Sequence, residues 1–232
     1  MRGWFAGLMI GLLGAAAPVV ADDHPVVVEL FTSQGCSSCP PADALLRELA
    51  TRSDVIALAL HVDYWDYIGW KDKFASPQFT ERQKAYARAA GHRTIFTPQM
   101  IVAGTDHVVG NKPMRLAELI EAHSDQPVPV RIEMIRAGDN VVIRADAVTD
   151  VPGGMVVQIV RYLPTETVKI LRGENAGKTF TYANIVTEWR VIGRWNGAAP
   201  LEMTAEAPGP EPVVALVQAP KNGPILGAAQ LR

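Results

Sequence analysis

The chain has 232 residues, with 22 Lys and Arg against 24 Asp and Glu, a formal net charge of −2, and only two cysteines. That balance, with no basic stripe interleaved with aromatics, argues against a nucleic-acid partner. The length suits one large domain or two small ones with real cores.

Met1 and Arg2 make a thin positive start, Trp4 to Ala17 is apolar apart from glycines, and Val19-Val20-Ala21 puts small or modest residues at a cleavage position. This reads as a secretory signal peptide over 1–21. It predicts a periplasmic or secreted protein beginning near Asp22, with no stable membrane insertion after cleavage. The other reading is a retained amino-terminal anchor, but the apolar run is short and broken by glycines.

Val26 to Phe31 is β-branched and apolar and suits a buried strand. Directly behind it stand both cysteines, in Cys36-Ser37-Ser38-Cys39. Small exported domains often use several disulfides as staples, whereas here both thiols occupy one short loop. Closing a loop of that size removes about 2 kcal/mol of chain entropy, against more than about 4 for a hundred-residue loop. The pair is a poor staple, and a poor staple that opens and closes is a good reagent. Pro40 and Pro41 fit a first helical turn, and Ala42, Leu45, Leu46 and Leu49 continue one apolar face to about Ala50. The spacing places the sulfurs at a helix amino terminus, whose unpaired N–H groups and partial positive charge favour a thiolate. Cys36 is expected to attack and Cys39 to resolve the mixed disulfide.

Val55 to Val62 is a second buried strand, so strand, helix and strand imply a parallel pair with a crossover helix. At its end stand His61, Asp63 and the aromatics Tyr64, Trp65, Tyr67 and Trp70. Tyr64 and Trp65 are candidates for a docking surface, and equally for a wrapped, packed loop. Ser76, Pro77 and Gly91 bound a second helix. Thr97-Pro98 precedes a hairpin, Gln99 to Ala103 and His107 to Val109, and Asn111 is the expected cap of a last helix.

Gln126-Pro127-Val128-Pro129 marks an expected boundary. Beyond it alternation takes over: Val128, Val130, Ile132 and Met134 against Arg131 and Glu133, then Trp189, Val191 and Trp195 against Glu188, Arg190 and Arg194. Eight or nine short strands are predicted, among them segments near 155–162, 165–171 and 178–183, which argues for a β-sandwich over 126–232. Gly173 to Thr179 superficially suggests a phosphate loop, but it has three residues between its glycines where the motif needs four, so nucleotide binding is rejected.

The strand-CxxC-helix, the order β-α-β-α-β-β-α and the position of Thr97-Pro98 make residues 25–124 resemble the thioredoxin fold. The whole chain is similar to an exported bacterial family of thioredoxin-like proteins catalogued as a domain of unknown function (DUF1223-like). Phe31 to Asp43, His61 to Asp66 and Thr97 to Met100 carry that likeness. The resemblance implies an α/β thioredoxin-like domain over 22–125 followed by an all-β sandwich. It also implies a cis Pro98 with the Thr97 backbone meeting a substrate peptide, and a proton-relay role for Glu29. Gly35 stands where thioredoxin has tryptophan, and no proline separates the cysteines, so redox direction is left open.

The function expected is an exported thiol-disulfide oxidoreductase acting on protein thiols or disulfides with a separate redox partner, without cofactor or nucleotide. Two alternatives are kept: a non-catalytic binding or assembly module whose cysteines are incidental, and a copper carrier using both thiolates with His61.

Overall fold

The computed structural model describes residues 24–151 and 153–232, so the predicted signal peptide lies outside the described residues. Among the described residues no helix is long and apolar enough to cross a membrane.

Strand β1 (Val26–Thr32) pairs in parallel with β2 (Val55–His61), and helix α1 (Pro40–Leu49) makes the crossover. Both strands are buried along their full length because both faces are covered. Alternate residues Val26, Val28 and Leu30 of β1, with Val55, Ala57 and Ala59 of β2, pack against Ala42, Leu46 and Leu49 of α1. The small Ala57 and Ala59 let the helix lie close. Val27, Phe31, Ile56, Leu58 and Leu60 point the other way, towards Phe79 and Tyr86 of α2 (Pro77–Ala89). That helix starts as the sequence predicts, with Ser76 Oγ accepting the Gln78 N–H and Pro77 following.

The hairpin of β3 (Gln99–Val102) and β4 (Asp106–Val109) continues the sheet beyond β1. Helix α3 (Pro113–Ser124) follows, capped at Lys112 and not at the expected Asn111, and without a side-chain cap. Next come β5 (Val130–Ala137), β6 (Asn140–Ala147), β7 (Met155–Lys169), β8 (Thr179–Trp195), β9 (Leu201–Glu206), β10 (Val213–Gln218) and β11 (Ile225–Leu231).

The expected α/β thioredoxin-like domain followed by an all-β sandwich is not the architecture found. One mixed sheet of eight strands runs in the order β11-β10-β7-β8-β2-β1-β3-β4, and only β5, β6 and β9 form a second sheet. Among the described residues the structure is mostly β, with three short α-helices. The segments predicted near 155–162 and 165–171 merge into the 15-residue β7, and those near 178–183 and 188–195 merge into the 17-residue β8. Irregular register at Val157/Gln158 and at Arg161/Tyr162 lets this long hairpin bend. β8 then lies parallel to β2, with Ala59 opposite Ile185, and the Asn184 amide group donates to the Ala57 carbonyl at 2.8 Å. A strand buried on both faces needs a backbone partner on each edge, and β8 supplies the second partner of β2. The three-stranded sheet covers one face of the β7-β8-β10-β11 part, through Val141, Ile143 and Ala205 against Ile159, Val213 and Ala215.

Candidate functional site

Cys36 and Cys39 form a disulfide with Cα atoms 5.4 Å apart. Cys39 is the N-cap residue of α1, and Pro40 and Pro41 occupy the next two positions. Those prolines carry no N–H, and the N–H groups of Ala42 and Asp43 both bond the Cys39 carbonyl, at 2.9 and 3.1 Å. The Cys36 and Cys39 N–H groups bond the carbonyls of Ser33 and Cys36. The helix start therefore lacks the unpaired donors expected to steady a thiolate, and only the partial charge of the peptide dipoles remains.

The sulfurs are also less open than expected. Cys36 is 2% exposed and Cys39 0%, and only Ser37 and Ser38 between them face solvent. The loop is gripped on several sides. The Gln34 N–H donates to Asp72 Oδ2 at 2.8 Å, and Trp70 Nε1 donates to Gln34 Oε1 at 2.7 Å. Asn175 Nδ2, from the β7-β8 turn, donates to the carbonyls of Gln34 and Cys36 at 3.0 and 3.1 Å. These bonds satisfy polar groups of the buried loop, and the Cys36 carbonyl takes its bond from Asn175 in addition to the Cys39 N–H.

Beneath the loop lies a cluster of buried ionisable groups. Thr32 and His61 are neighbours across the parallel ladder, at the ends of β1 and β2. By strand alternation both face α1. Thr32 Oγ1 donates to Asp43 Oδ1 at 2.8 Å, and His61 Nδ1 lies 2.7 Å from Asp72 Oδ2. Phe74 and Tyr182 set ring edges against His61, with centroids 5.2 and 5.0 Å away. Burial pushes the Asp43 carboxyl up to about 7; nearby His61 and the Thr32 hydroxyl act in the opposite direction. Burial raises Asp72 too, but His61 and the N–H groups of Gln34 and Phe74 together hold it below the usual carboxylate range. Gln34 Nε2 and His61 Nε2 have no hydrogen-bond partner.

The other predicted residues divide. Thr97-Pro98 is a cis peptide, and Pro98 and Ala42 in the first turn of α1 both close on Gly110. A Cβ on Gly110 would lie 2.9 Å from the side chains of both Ala42 and Pro98, so only glycine permits that approach. Trp65 Nε1 donates to Thr97 Oγ1 at 2.7 Å, and Tyr64 donates to Gln83 Oε1 at 3.2 Å. Both rings are half-buried against the core on the α2 face, while Tyr67 is 80% exposed.

Glu29 is elsewhere. It faces α2, on the opposite side of the sheet from α1, where Arg82 binds it through two nitrogens at 2.6 and 2.9 Å and Tyr86 donates to it at 2.5 Å. Arg82 lies 3.7 Å over the Trp189 ring, and Gln218 and Gln158 extend the network to β7 and β10. This geometry ties sheet to helix.

Among the described residues no group of three or more His, Cys, Asp or Glu side chains forms a metal site. His61, the third ligand imagined for copper, is tied to Asp72.

Asp43, Asp72 and Asn175 were not predicted as site residues. Asp43 had one readable signal, a carboxylate placed a helical turn after Cys39 on an apolar face. Asn175 sits in the glycine turn weighed for phosphate, and its contact with the cysteine loop spans about 140 residues of chain.

The crystal structure of protein AGR_C_4864 from Agrobacterium tumefaciens is similar, with a TM-score of 0.76 and 35% identity over 89% of this chain and 93% of that one. HBP35 of Porphyromonas gingivalis has a related fold, with a TM-score of 0.63 and 15% identity over 90% and 74% of the two chains. No curated protein matches. The profile of a protein family of unknown function, DUF1223, matches residues 27–218, and the chain belongs to that family.

Proposed function

We propose that the Cys36–Cys39 pair exchanges electrons with external thiols and disulfides, making the protein a thiol-disulfide oxidoreductase that works outside the cytosol on protein thiols with a separate redox partner. The observation that carries this reading is a disulfide closing only a four-residue loop. Such a bridge contributes about 2 kcal/mol of loop entropy, too little to explain spending both cysteines of the chain on it. Exchange begins with attack of a thiolate on one sulfur, through a mixed disulfide. Cys36 is assigned as the attacked sulfur, since Cys39 is fully buried and caps α1. Because Cys36 is itself recessed, the Ser37-Ser38 turn has to yield for a protein substrate to reach it.

Equilibration of the full chain in graded glutathione buffers, read by alkylation and mass, tests the reading. Reversible two-electron reduction of the native protein, lost in Cys36→Ser, supports it. Capture of protein partners by Cys39→Ala extends it to protein substrates. The recessed sulfurs favour a second reading, in which the bridge is structural and the protein is a binding or assembly module. In that case the bridge resists reduction until the protein unfolds.

A further inference from the structure

We propose that Asp43 supplies the proton taken up by the Cys39 sulfur when the Cys36–Cys39 bridge is reduced, and receives it back when the bridge re-forms. This assignment rests on the redox reading above and deepens it.

The need for a proton follows from the helix start. When the bridge opens at Cys36, the electron pair of the S–S bond leaves on Cys39. That sulfur is fully buried, and a bare thiolate there is costly. The donors that would normally receive it are missing, because positions 40 and 41 are prolines and the N–H groups of residues 39, 42 and 43 are spent on backbone carbonyls. Protonation is the remaining way to settle the charge.

The source follows from position. Asp43 is one helical turn beyond Cys39, so their Cβ atoms are neighbours on one face of α1. Its side chain is buried, and Thr32 Oγ1 donates a hydrogen bond to its Oδ1 at 2.8 Å. Burial keeps this carboxyl protonated up to about pH 7, where an ordinary aspartate would have lost its proton near 3.8. The charged and titratable groups around it are His61 on β2, Asp72 in the loop beyond it, Arg47 on the same helix and Tyr182 on β8. His61 and Asp72 are bonded to each other.

With a small dithiol as reductant, atoms and electrons balance. One of its thiols loses a proton to solvent, and the resulting thiolate bonds to Cys36 as the S–S bond breaks. Cys39 leaves with the electron pair and takes the Asp43 proton. The second reductant thiol, also deprotonated by solvent, closes a cyclic disulfide and expels Cys36 as a thiolate. Solvent then reprotonates Cys36 and Asp43.

The test is the rate of reduction of the full chain by dithiothreitol from about pH 5 to about pH 9, expressed per reductant thiolate so that the reagent's own titration cancels. The wild type is expected to be fast at low pH and to fall about 100-fold as pH rises through about 7, the low end of general-acid effects. Asp43→Asn should lie at the slow limit throughout, with no break. Thr32→Val removes a hydroxyl that steadies the carboxylate, so its break should move to higher pH at an unchanged low-pH rate. This second variant decides the matter if Asp43→Asn does not fold. An Asp43→Asn profile that follows the wild type, or a Thr32→Val break that stays put, overturns the assignment and leaves the redox reading standing. Native protein that dithiothreitol does not reduce in any variant overturns both.

Discussion

Asp43→Asn also makes a quantitative prediction about stability that does not depend on redox chemistry. The folded chain holds the Asp43 carboxyl at about 7 against 3.8 for an exposed aspartate. Below about pH 4 the carboxyl is protonated in both states and the group contributes nothing. Between about 4 and about 7 the folded chain holds a proton that the unfolded chain releases, so stability falls as pH rises. Above about 7 the loss is complete. At roughly 1.4 kcal/mol per pH unit, it amounts to about 4 kcal/mol. Asparagine fills the same space, and its Oδ1 still accepts from Thr32, so the variant escapes the loss. In urea titrations of the oxidised protein, Asp43→Asn should match the wild type near pH 4 and exceed it by about 4 kcal/mol near pH 8. With an m-value of about 2 kcal/mol/M, that is a midpoint shift of about 2 M. Asp72 titrates in the opposite sense, but it is present in both proteins and largely cancels in the difference. A variant no more stable than the wild type at pH 8, or a gain equal at both pH values, would refute the buried-acid argument.

Replacing both cysteines by serine should cost about 2 kcal/mol, the loop entropy of a four-residue closure, in the same titrations; a loss beyond about 4 would identify the bridge as a structural staple. Arg82→Met strands the buried Glu29 carboxylate and should cost about 3–5 kcal/mol, with much of it recovered in Glu29→Leu/Arg82→Met. Asn175→Ala leaves the buried Gln34 carbonyl without a donor, at about 1–3 kcal/mol, while the Cys36 carbonyl keeps the Cys39 N–H. Hydrogen exchange should quicken at residues 34–39 more than in β1. Gly110→Ala drives a methyl into Ala42 and Pro98, so a loss of about 1–3 kcal/mol is expected in the same titrations.

The parts of the fold legible in the sequence were those with local causes. Proline after serine opens α2 at Ser76-Pro77, and the glycine turn at Gly104 makes the β3-β4 hairpin. The apolar run of β2, and that of β1 broken only by Glu29, announced buried strands. The site was legible to the same depth: the cysteines were placed at a strand-to-helix junction. Reading went astray where a residue's partner lies far along the chain. Glu29 was matched to the cysteines through the thioredoxin resemblance, yet strand alternation turns it to the opposite face, towards Arg82. The helix start was expected to be rich in free donors, and Pro40-Pro41, correctly placed in the first turn, removed two of them.

The sequence by itself determined the chemistry available at one point, two thiols in a tight loop ahead of a helix, because spacing and turn propensity act over a few residues. Tertiary structure decided the architecture and the protonation of the site. An edge of β2 accepts any strand of suitable length, and the choice of β8 was made by the long β7-β8 hairpin reaching it from more than a hundred residues away. A carboxyl becomes a proton store only when other elements exclude water from it, and for Asp43 that exclusion comes from β1, β2 and β8 packed beneath α1.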